Sequence, residues 1–260
     1  MSLSLASYAM ENDMDPFGEE SWVNVGLDRI QEYVGKNGME EDALIKVLHE
    51  HNANEVCDAG CGCGVYTAKL AANRFHVSAF DVSKHAVGFA QRLLAENGLK
   101  VHFKTASILE TGYEDGLFDA VVSKDVLDHM CKADASKAVI ELLRITKQGG
   151  IVLFTLDSLD AEYVSEPHVV NLDGDYVYTS GKWKGMVFHP YTPETVLDIV
   201  PPDAVVDVIS KDGDLVVLLE KRIGMDEPNQ VTYEAMEAVE KGSTYGPFNN
   251  VDELMDALND

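Results

Sequence analysis

The stretch VCDAGCGCGV, residues 56–65, decides how the chain is read. It places Gly60, Gly62 and Gly64 at alternate positions just after an apolar run, where a strand gives way to a helix. Glycine there admits left-handed backbone and leaves the main chain open to close approach. N–H groups exposed at a helix start favour an anionic ligand group such as a carboxylate or phosphate. The spacing is G-x-G-x-G preceded by Asp58, not the G-x-G-x-x-G of a dinucleotide pyrophosphate loop, which argues against NAD.

Outward from this loop, short apolar strands alternate with helical stretches, the pattern of a parallel sheet covered on both faces. NEVCDAG (54–60) predicts a first strand and VYTAKLAANR (65–74) its helix. HVSAFD (76–81) predicts a second strand, and 83–98 a helix with Ser83 as N-cap and Gly98 as its stop. KVHFKTA (100–106) and FDAVVSKD (118–125) give strands three and four, 134–146 a helix, and GGIVLFTLD (149–157) a fifth strand after a Gly-Gly turn. DYVYTSGKWKGMVF (175–188) alternates as a hairpin around Ser180 and Gly181, within a 165–195 insertion that could serve as a lid. TPETVLDIV (192–200) predicts a helix with Thr192 at N-cap and Pro193 at N1, and the KDGD turn joins two strands within 204–221. Before the loop, 21–35 and 39–51 have helical apolar spacing, so residues 1–50 are expected to form an N-terminal helical cap.

Composition narrows the partners. The 260 residues carry a formal charge of −25 with no basic block, a poor match to a phosphate backbone, so nucleic acid is a poor candidate for the substrate unless Lys182, Lys184 and their neighbours make a local basic patch. No apolar run is long enough to cross a bilayer, and the first twenty residues lack the basic and apolar regions of a secretion signal. Four cysteines, three of them bunched, fit a reducing compartment, and cytoplasmic localisation is expected. Cys57, Cys61 and Cys63 lack zinc-knuckle spacing, and no metal is expected.

VCDAGCGCG resembles the glycine loop of class I S-adenosylmethionine-dependent methyltransferases, AFDVS (79–83) their acidic second-strand end, and residues 106–129 the stretch of the adenine contact and fourth strand. The resemblance runs from about residue 40 to 222. It implies a Rossmann-like α/β fold with a seven-stranded, mostly parallel sheet and an antiparallel last strand. It further implies S-adenosylmethionine as cofactor and S-adenosylhomocysteine as product. On this basis Gly60, Cys61, Gly62 and Gly64 line the methionine part, and Asp58 holds the loop and the ammonium end. Asp81 accepts the ribose hydroxyls, a helix N-cap for the following segment being the lesser alternative, and Val82 packs on adenine. Ser107, flanked by Ile108, stands where many relatives carry an aspartate to the adenine amino group, a weaker acceptor. Ser123, Lys124 and Asp125 put backbone against the methionine segment.

Methyl transfer from a sulfonium is an in-line displacement governed by alignment, with a base needed only for a protonated nucleophile. Asp128 and His129 follow the fourth strand, making His129 the first candidate for a base or an orienting group; a local capping role is the alternative. Tyr178, Trp183, His189 and Tyr191 are candidate walls for a small-molecule methyl acceptor with an oxygen or nitrogen nucleophile, or else packing residues. A tRNA-modifying enzyme, or a scaffold with a vestigial site, are the competing readings. After a linker, residues 229–260, with TYEAMEA, YGPF and VDELMDAL, resemble the C-terminal part of RelB/DinJ-type antitoxins. That resemblance implies a helical tail able to bind a RelE-like toxin; self-association is the other possibility.

Overall fold

The computed structural model describes residues 39, 41–202, 204–211 and 214–222. The expectations for the segment 21–35 and for the tail 223–260 lie outside them.

Helix α1 (Ala43–Glu50) leads into strand β1 (Glu55–Ala59), followed by α2 (Val65–Ala72), β2 (His76–Asp81), α3 (Lys84–Glu96), β3 (His102–Thr105) and β4 (Phe118–Lys124). A 3-10 turn (Leu127–His129), α4 (Lys132–Ile145), β5 (Thr146–Leu156) and the short α5 (Ala161–Ser165) come next. The insertion carries β6 (His168–Val170), β7 (Tyr176–Tyr178) and β8 (Val187–Phe188), and a second 3-10 turn (Thr195–Ile199) precedes β9 (Val205–Lys211) and β10 (Asp214–Glu220). The main sheet has seven strands in the order β3-β2-β1-β4-β5-β10-β9. β1 through β5 pair in parallel, while β10 runs antiparallel to both β5 and β9.

The central strands are buried on both faces, as their unbroken apolar runs require. On one face Val56, Val77, Ala120, Val122, Ile151 and Leu153 pack with Leu70 of α2 and with Ile45 and Leu48 of α1. Helix α1, in the segment expected as an N-terminal cap, therefore packs into the sheet's core. Full burial of one such leucine contributes about 1.5–3 kcal/mol. Asp42 starts α1, its carboxylate accepting from Ile45 N–H at 3.0 Å, from the Tyr66 hydroxyl at 3.2 Å and from Lys69 Nζ at 2.9 Å. Ser83 caps α3 as expected, accepting from Ala86 N–H at 3.1 Å, and Gly98 follows that helix with φ +67°.

Three local expectations need correction. Gly149 and Gly150 do not make a turn between helix and strand: α4 passes straight into β5, and the pair lies within the strand where the β4–β5 register shifts. A Cβ on Gly150 would come within 2.6 Å of the Asp119 carbonyl oxygen, so the two strands crowd there. The Thr192 segment forms a 3-10 turn, not an α-helix. Its Thr195, Val196 and Ile199 are β-branched, and Val200, preceding Pro201, is held extended at φ −104°, ψ 135°. Glu194, not Thr192, is its N-cap residue, although the Thr192 hydroxyl accepts from Thr195 N–H at 3.2 Å. The expected 175–188 hairpin is present as β7–β8, but β6 adds a third antiparallel strand.

Candidate functional site

The site is built at the carboxyl ends of β1, β2, β4 and β5, around the point where the strand order reverses between β1 and β4. Gly60 N–H and Cys61 N–H both donate to the Phe80 carbonyl at 2.9 Å, closing the end of β1 onto β2. Gly60, Gly62 and Gly64 all have left-handed φ (+78°, +50° and +82°). A Cβ on Gly60 would lie 2.6 Å from Val126 Cγ2, and one on Gly64 would lie 2.6 Å from Ala90 Cβ. Two of the three glycines are thus demanded by the protein's own packing, against the segment after β4 and against α3.

Asp58 is fully buried beneath the loop and accepts from the Thr67 hydroxyl at 2.5 Å. Burial, opposed by that hydrogen bond and aided by the charge of Asp81, raises its pKa to about 6. Asp81 is half-buried, and its two oxygens accept from Gly62 N–H at 2.8 Å and Ser83 N–H at 2.9 Å. Since Ser83 is the N-cap of α3, the capping role does not fall to Asp81, which instead ties the glycine loop to β2. Ala106 N–H donates to the Asp81 carbonyl at 3.1 Å, which brings the turn carrying Ser107 and the buried Ile108 alongside. The Ser107 hydroxyl accepts from Leu109 N–H at 3.1 Å. Val82 is half-buried. Burial pushes the Cys61 thiol well above its ordinary pKa, so it is a packing group and not a thiolate.

At the end of β4, Ser123 is buried with its hydroxyl unpartnered among the described residues, and Lys124 pairs with Asp125. Asp125 adopts φ +54°, unusual for a non-glycine residue; its N–H reaches the Thr155 hydroxyl at 3.1 Å, and that hydroxyl donates back to its carboxylate. This reciprocal pair fixes the bend that aims the 3-10 turn across the strand ends.

Asp128, on that turn, is fully buried. One of its oxygens accepts from Asp157 N–H at 2.9 Å, and the other has no partner among the described residues. Burial lifts its pKa to about 6, partly countered by His129. His129 Nε2 stands 3.9 Å from Asp128 Oδ2, with its ring edge-on to Phe188 at 5.7 Å and tilted against Tyr163 at 6.4 Å. Tyr163 stacks on Phe188 at 4.2 Å and meets Trp183 at 4.6 Å. Helix α5 and the three-stranded insertion therefore lay an aromatic wall beside His129.

The four residues expected as acceptor walls fall in different places. Trp183 is half-buried in that wall. Tyr178 is buried beneath it, its hydroxyl donating to the Tyr163 carbonyl at 3.0 Å, so it supports the wall and does not line it. His189 is buried with Nδ1 2.7 Å from Asp175 Oδ1, and its N–H donates to the Asp128 carbonyl at 2.8 Å. It locks the insertion to the 3-10 turn. Tyr191 is buried against His189 with its hydroxyl unpartnered among the described residues, and burial with the charges of Asp175 and Asp128 pushes its pKa far up.

Sequence reasoning missed Asp157, Tyr163 and Asp175. Asp157 stands at the carboxyl end of β5 as Asp81 does at β2, and that shared position was the available signal.

Among comparisons with known proteins, those of sequence match one segment and those of structure most of the chain. Residues 56–150 match the family model described as a methyltransferase domain. That span covers the glycine loop, Asp81, Ser107 and the 3-10 turn, but neither β10 nor the aromatic insertion. A ubiquinone biosynthesis O-methyltransferase of Rickettsia prowazekii is 33% identical over 101 residues, 39% of this chain and 39% of that protein. One from Aromatoleum aromaticum is 35% identical over 101 residues, 38% of this chain and 42% of the relative. The chain thus spans about four tenths of the length of these curated relatives. Among solved structures, the 1,6-didemethyltoxoflavin-N1-methyltransferase of Burkholderia thailandensis, with bound 1,6-didemethyltoxoflavin and S-adenosylhomocysteine, superimposes with a TM-score of 0.59 at 16% identity, covering 86% of this chain and 92% of that one. A SAM-dependent methyltransferase from Methanosarcina mazei gives 0.56 at 17% identity, covering 68% and 97%. These establish the fold as the Rossmann-like α/β sheet of methyltransferases. No helix among the described residues is long and apolar enough to cross a membrane.

Proposed function

We propose that the chain is an S-adenosylmethionine-dependent methyltransferase acting on an oxygen or nitrogen nucleophile of a small molecule. The observation that carries this reading is the meeting, at the carboxyl ends of β1 and β2, of the left-handed glycine loop with Asp81, whose carboxylate holds Gly62 N–H. The residues fit the cofactor: bare main chain follows β1, a half-buried acid ends β2, and near the end of β4 stands Ser123, whose buried hydroxyl has no partner among the described residues. Gly60, Cys61, Gly62 and Gly64 with Asp58 would hold the methionine portion, Asp81 the ribose, Val82, Ser107 and Ile108 the adenine, and Ser123, Lys124 and Asp125 the far side of the methionine chain. When bound, the sulfonium supplies an electrophilic methyl group.

The chain's own residues do the rest. Asp58 and Thr67 hold the loop from below, and the Asp125–Thr155 pair sets the direction of the 3-10 turn. Trp183, Tyr163 and Phe188 exclude water from the side of His129, which raises the effect of every oriented charge there. His129, half-buried and next to the Asp128 carboxylate, orients the acceptor and can take a proton from it. The O-methyltransferase relatives favour oxygen as acceptor atom and the Burkholderia structure favours nitrogen, so both are retained.

Calorimetry with S-adenosylmethionine and, separately, NADH on the intact chain tests the reading. Saturable binding of the first alone is expected. Asp81→Ala should weaken it at least about tenfold, the scale of one lost charge-assisted hydrogen bond. Binding of NADH in preference, or an unaltered affinity after Asp81→Ala, would overturn it.

A further inference from the structure

The connection from β3 to β4, residues 106–117, carries no helix, yet it brings Ser107 and Ile108 to the Asp81 end of the site. Its middle is tied to α4 by charged groups that methyl transfer does not itself use. Thr111 is buried, and both its N–H and its hydroxyl donate to Glu141 Oε1, at 2.8 and 2.6 Å. Arg144, on the next turn of α4, donates to both oxygens of that carboxylate, from Nε to Oε2 at 2.7 Å and from Nη2 to Oε1 at 2.8 Å. It also donates to the Tyr113 carbonyl at 2.9 Å and to the Asp115 carboxylate. From β3, Lys104 donates to the Thr111 carbonyl at 2.6 Å, its ammonium 4.6 Å from the centre of the Tyr113 ring. The N–H, hydroxyl and carbonyl of Thr111 are thus each held by a charged side chain, and such bonds are about twice as strong as neutral ones.

The turn just before Thr111 is closed by neutral bonds, from Glu110 N–H to the Ser107 carbonyl at 3.3 Å and from Leu109 N–H to the Ser107 hydroxyl at 3.1 Å, and Leu109 and Glu110 are exposed. At its other end Ala106 N–H rests on the Asp81 carbonyl at 3.1 Å. Residues 107–110 are therefore a short span between two fixed points, and a shift at Thr111 passes straight to Ser107 and Ile108. From this we infer that Thr111 and Glu141 are positioning residues for the adenine of the cofactor: they set where Ser107 and Ile108 stand, with Arg144 holding the Glu141 carboxylate in place. The inference rests on the proposed binding of S-adenosylmethionine. Both residues act through the turn and not on the cofactor directly. Placement matters here because Ser107 offers a neutral hydroxyl, whose bond is weaker than a carboxylate's and falls off steeply when its direction is wrong. A turn fixed in advance also spares the cofactor the entropic cost of ordering it.

Calorimetric titration of the intact chain with S-adenosylhomocysteine tests this. Thr111→Val keeps the shape and the N–H but removes the hydroxyl donor, and should weaken binding at least about fivefold, the scale of one lost hydrogen bond to a carboxylate. Thr111→Ser, which keeps the hydroxyl, should bind within about twofold of the unaltered chain. Glu141→Asp keeps a charge for Arg144 but draws the carboxylate back from Thr111; it should weaken binding to a similar degree and serves if Thr111→Val does not fold. Ile45→Val loosens the core beside α1 without reaching the turn and should leave affinity unchanged. Ser107→Ala should weaken binding by a smaller factor in the Thr111→Val chain than in the unaltered one, because the turn has already left its place. A general loss of stability would not produce that coupling. Unchanged affinity in Thr111→Val, Thr111→Ser as weak as Thr111→Val, or equal Ser107→Ala factors in both backgrounds overturns the inference and leaves the methyltransferase reading standing. Failure of the unaltered chain to bind S-adenosylhomocysteine overturns both.

Discussion

Substituting Gly64 by alanine probes the loop through its packing. The residue sits at φ +82°, a left-handed conformation that costs an alanine about 1–2 kcal/mol. The new Cβ would meet Ala90 Cβ at 2.6 Å and Ala90 Cα at 2.9 Å, and the second atom is helix backbone that cannot swing aside. Overpacking of this kind costs about 1–3 kcal/mol, so the total expected loss is about 2–5 kcal/mol. Urea unfolding followed by circular dichroism measures it directly as a lower midpoint at unchanged slope. Adding Ala90→Gly removes the closer of the two contacts, so the double variant should be at least about 1 kcal/mol more stable than the sum of the single losses implies. A Gly64→Ala chain within about 0.5 kcal/mol of wild type, or strict additivity in the pair, would refute the claim that α3 dictates this glycine.

Gly88, inside α3, should behave oppositely, because a Cβ added there would have nothing within 4 Å: Gly88→Ala is expected to raise stability by about 0.5–1 kcal/mol in the same urea assay. Glu141 resists ionisation through burial, but hydrogen bonds from Arg144 and from the Thr111 hydroxyl and N–H outweigh this and bring its pKa to about 2. Its contribution is therefore complete above about 4.5 and is lost as pH falls toward 2, and Glu141→Gln should flatten acid unfolding over that window. Asp58 has the reverse sign. With a folded pKa near 6 against an ordinary 3.8, its contribution is complete below 3.8 and is lost as pH rises through 6, so Asp58→Asn should remove that part of the stability profile.

Much of this organisation was legible because strands buried on both faces leave unbroken apolar runs, and because Ser83 and Gly98 mark the ends of α3 with side-chain and backbone chemistry that acts locally. The glycine loop was legible as a bend, yet its cause was only partly so. Contact of Gly60 with Val126 and of Gly64 with Ala90 joins residues tens of positions apart, which no local pattern encodes. The same limit explains α1: its amphipathic spacing fits a lid or a core helix equally, and the sheet face decides. Gly149 and Gly150 misled because glycine serves a strand crowded by its neighbour as readily as a turn. In the site, Asp128 and His129 were placed by their distance after β4, whereas Asp175 becomes relevant only once the insertion folds over and His189 reaches it. Tyr178 and His189 were drawn to the acceptor by residue type, but burial assigns both to holding the wall in place.

The order of the strands also governs assembly in time. β10 lies between β5 and β9, so the later half of the sheet has an empty lane until residues 214–220 arrive. Before then β9 has no neighbour to hydrogen-bond, and the flank of β5 stands open to any other chain that offers a strand. Lys221 then seals the far end: its buried ammonium donates to the Thr146 carbonyl at 2.9 Å and its main chain bonds both Gly149 and Gly150. A polypeptide stopped by a ribosome or a protease short of this point would keep its glycine bend and its acids in sequence, yet expose a sticky margin that the finished molecule never shows.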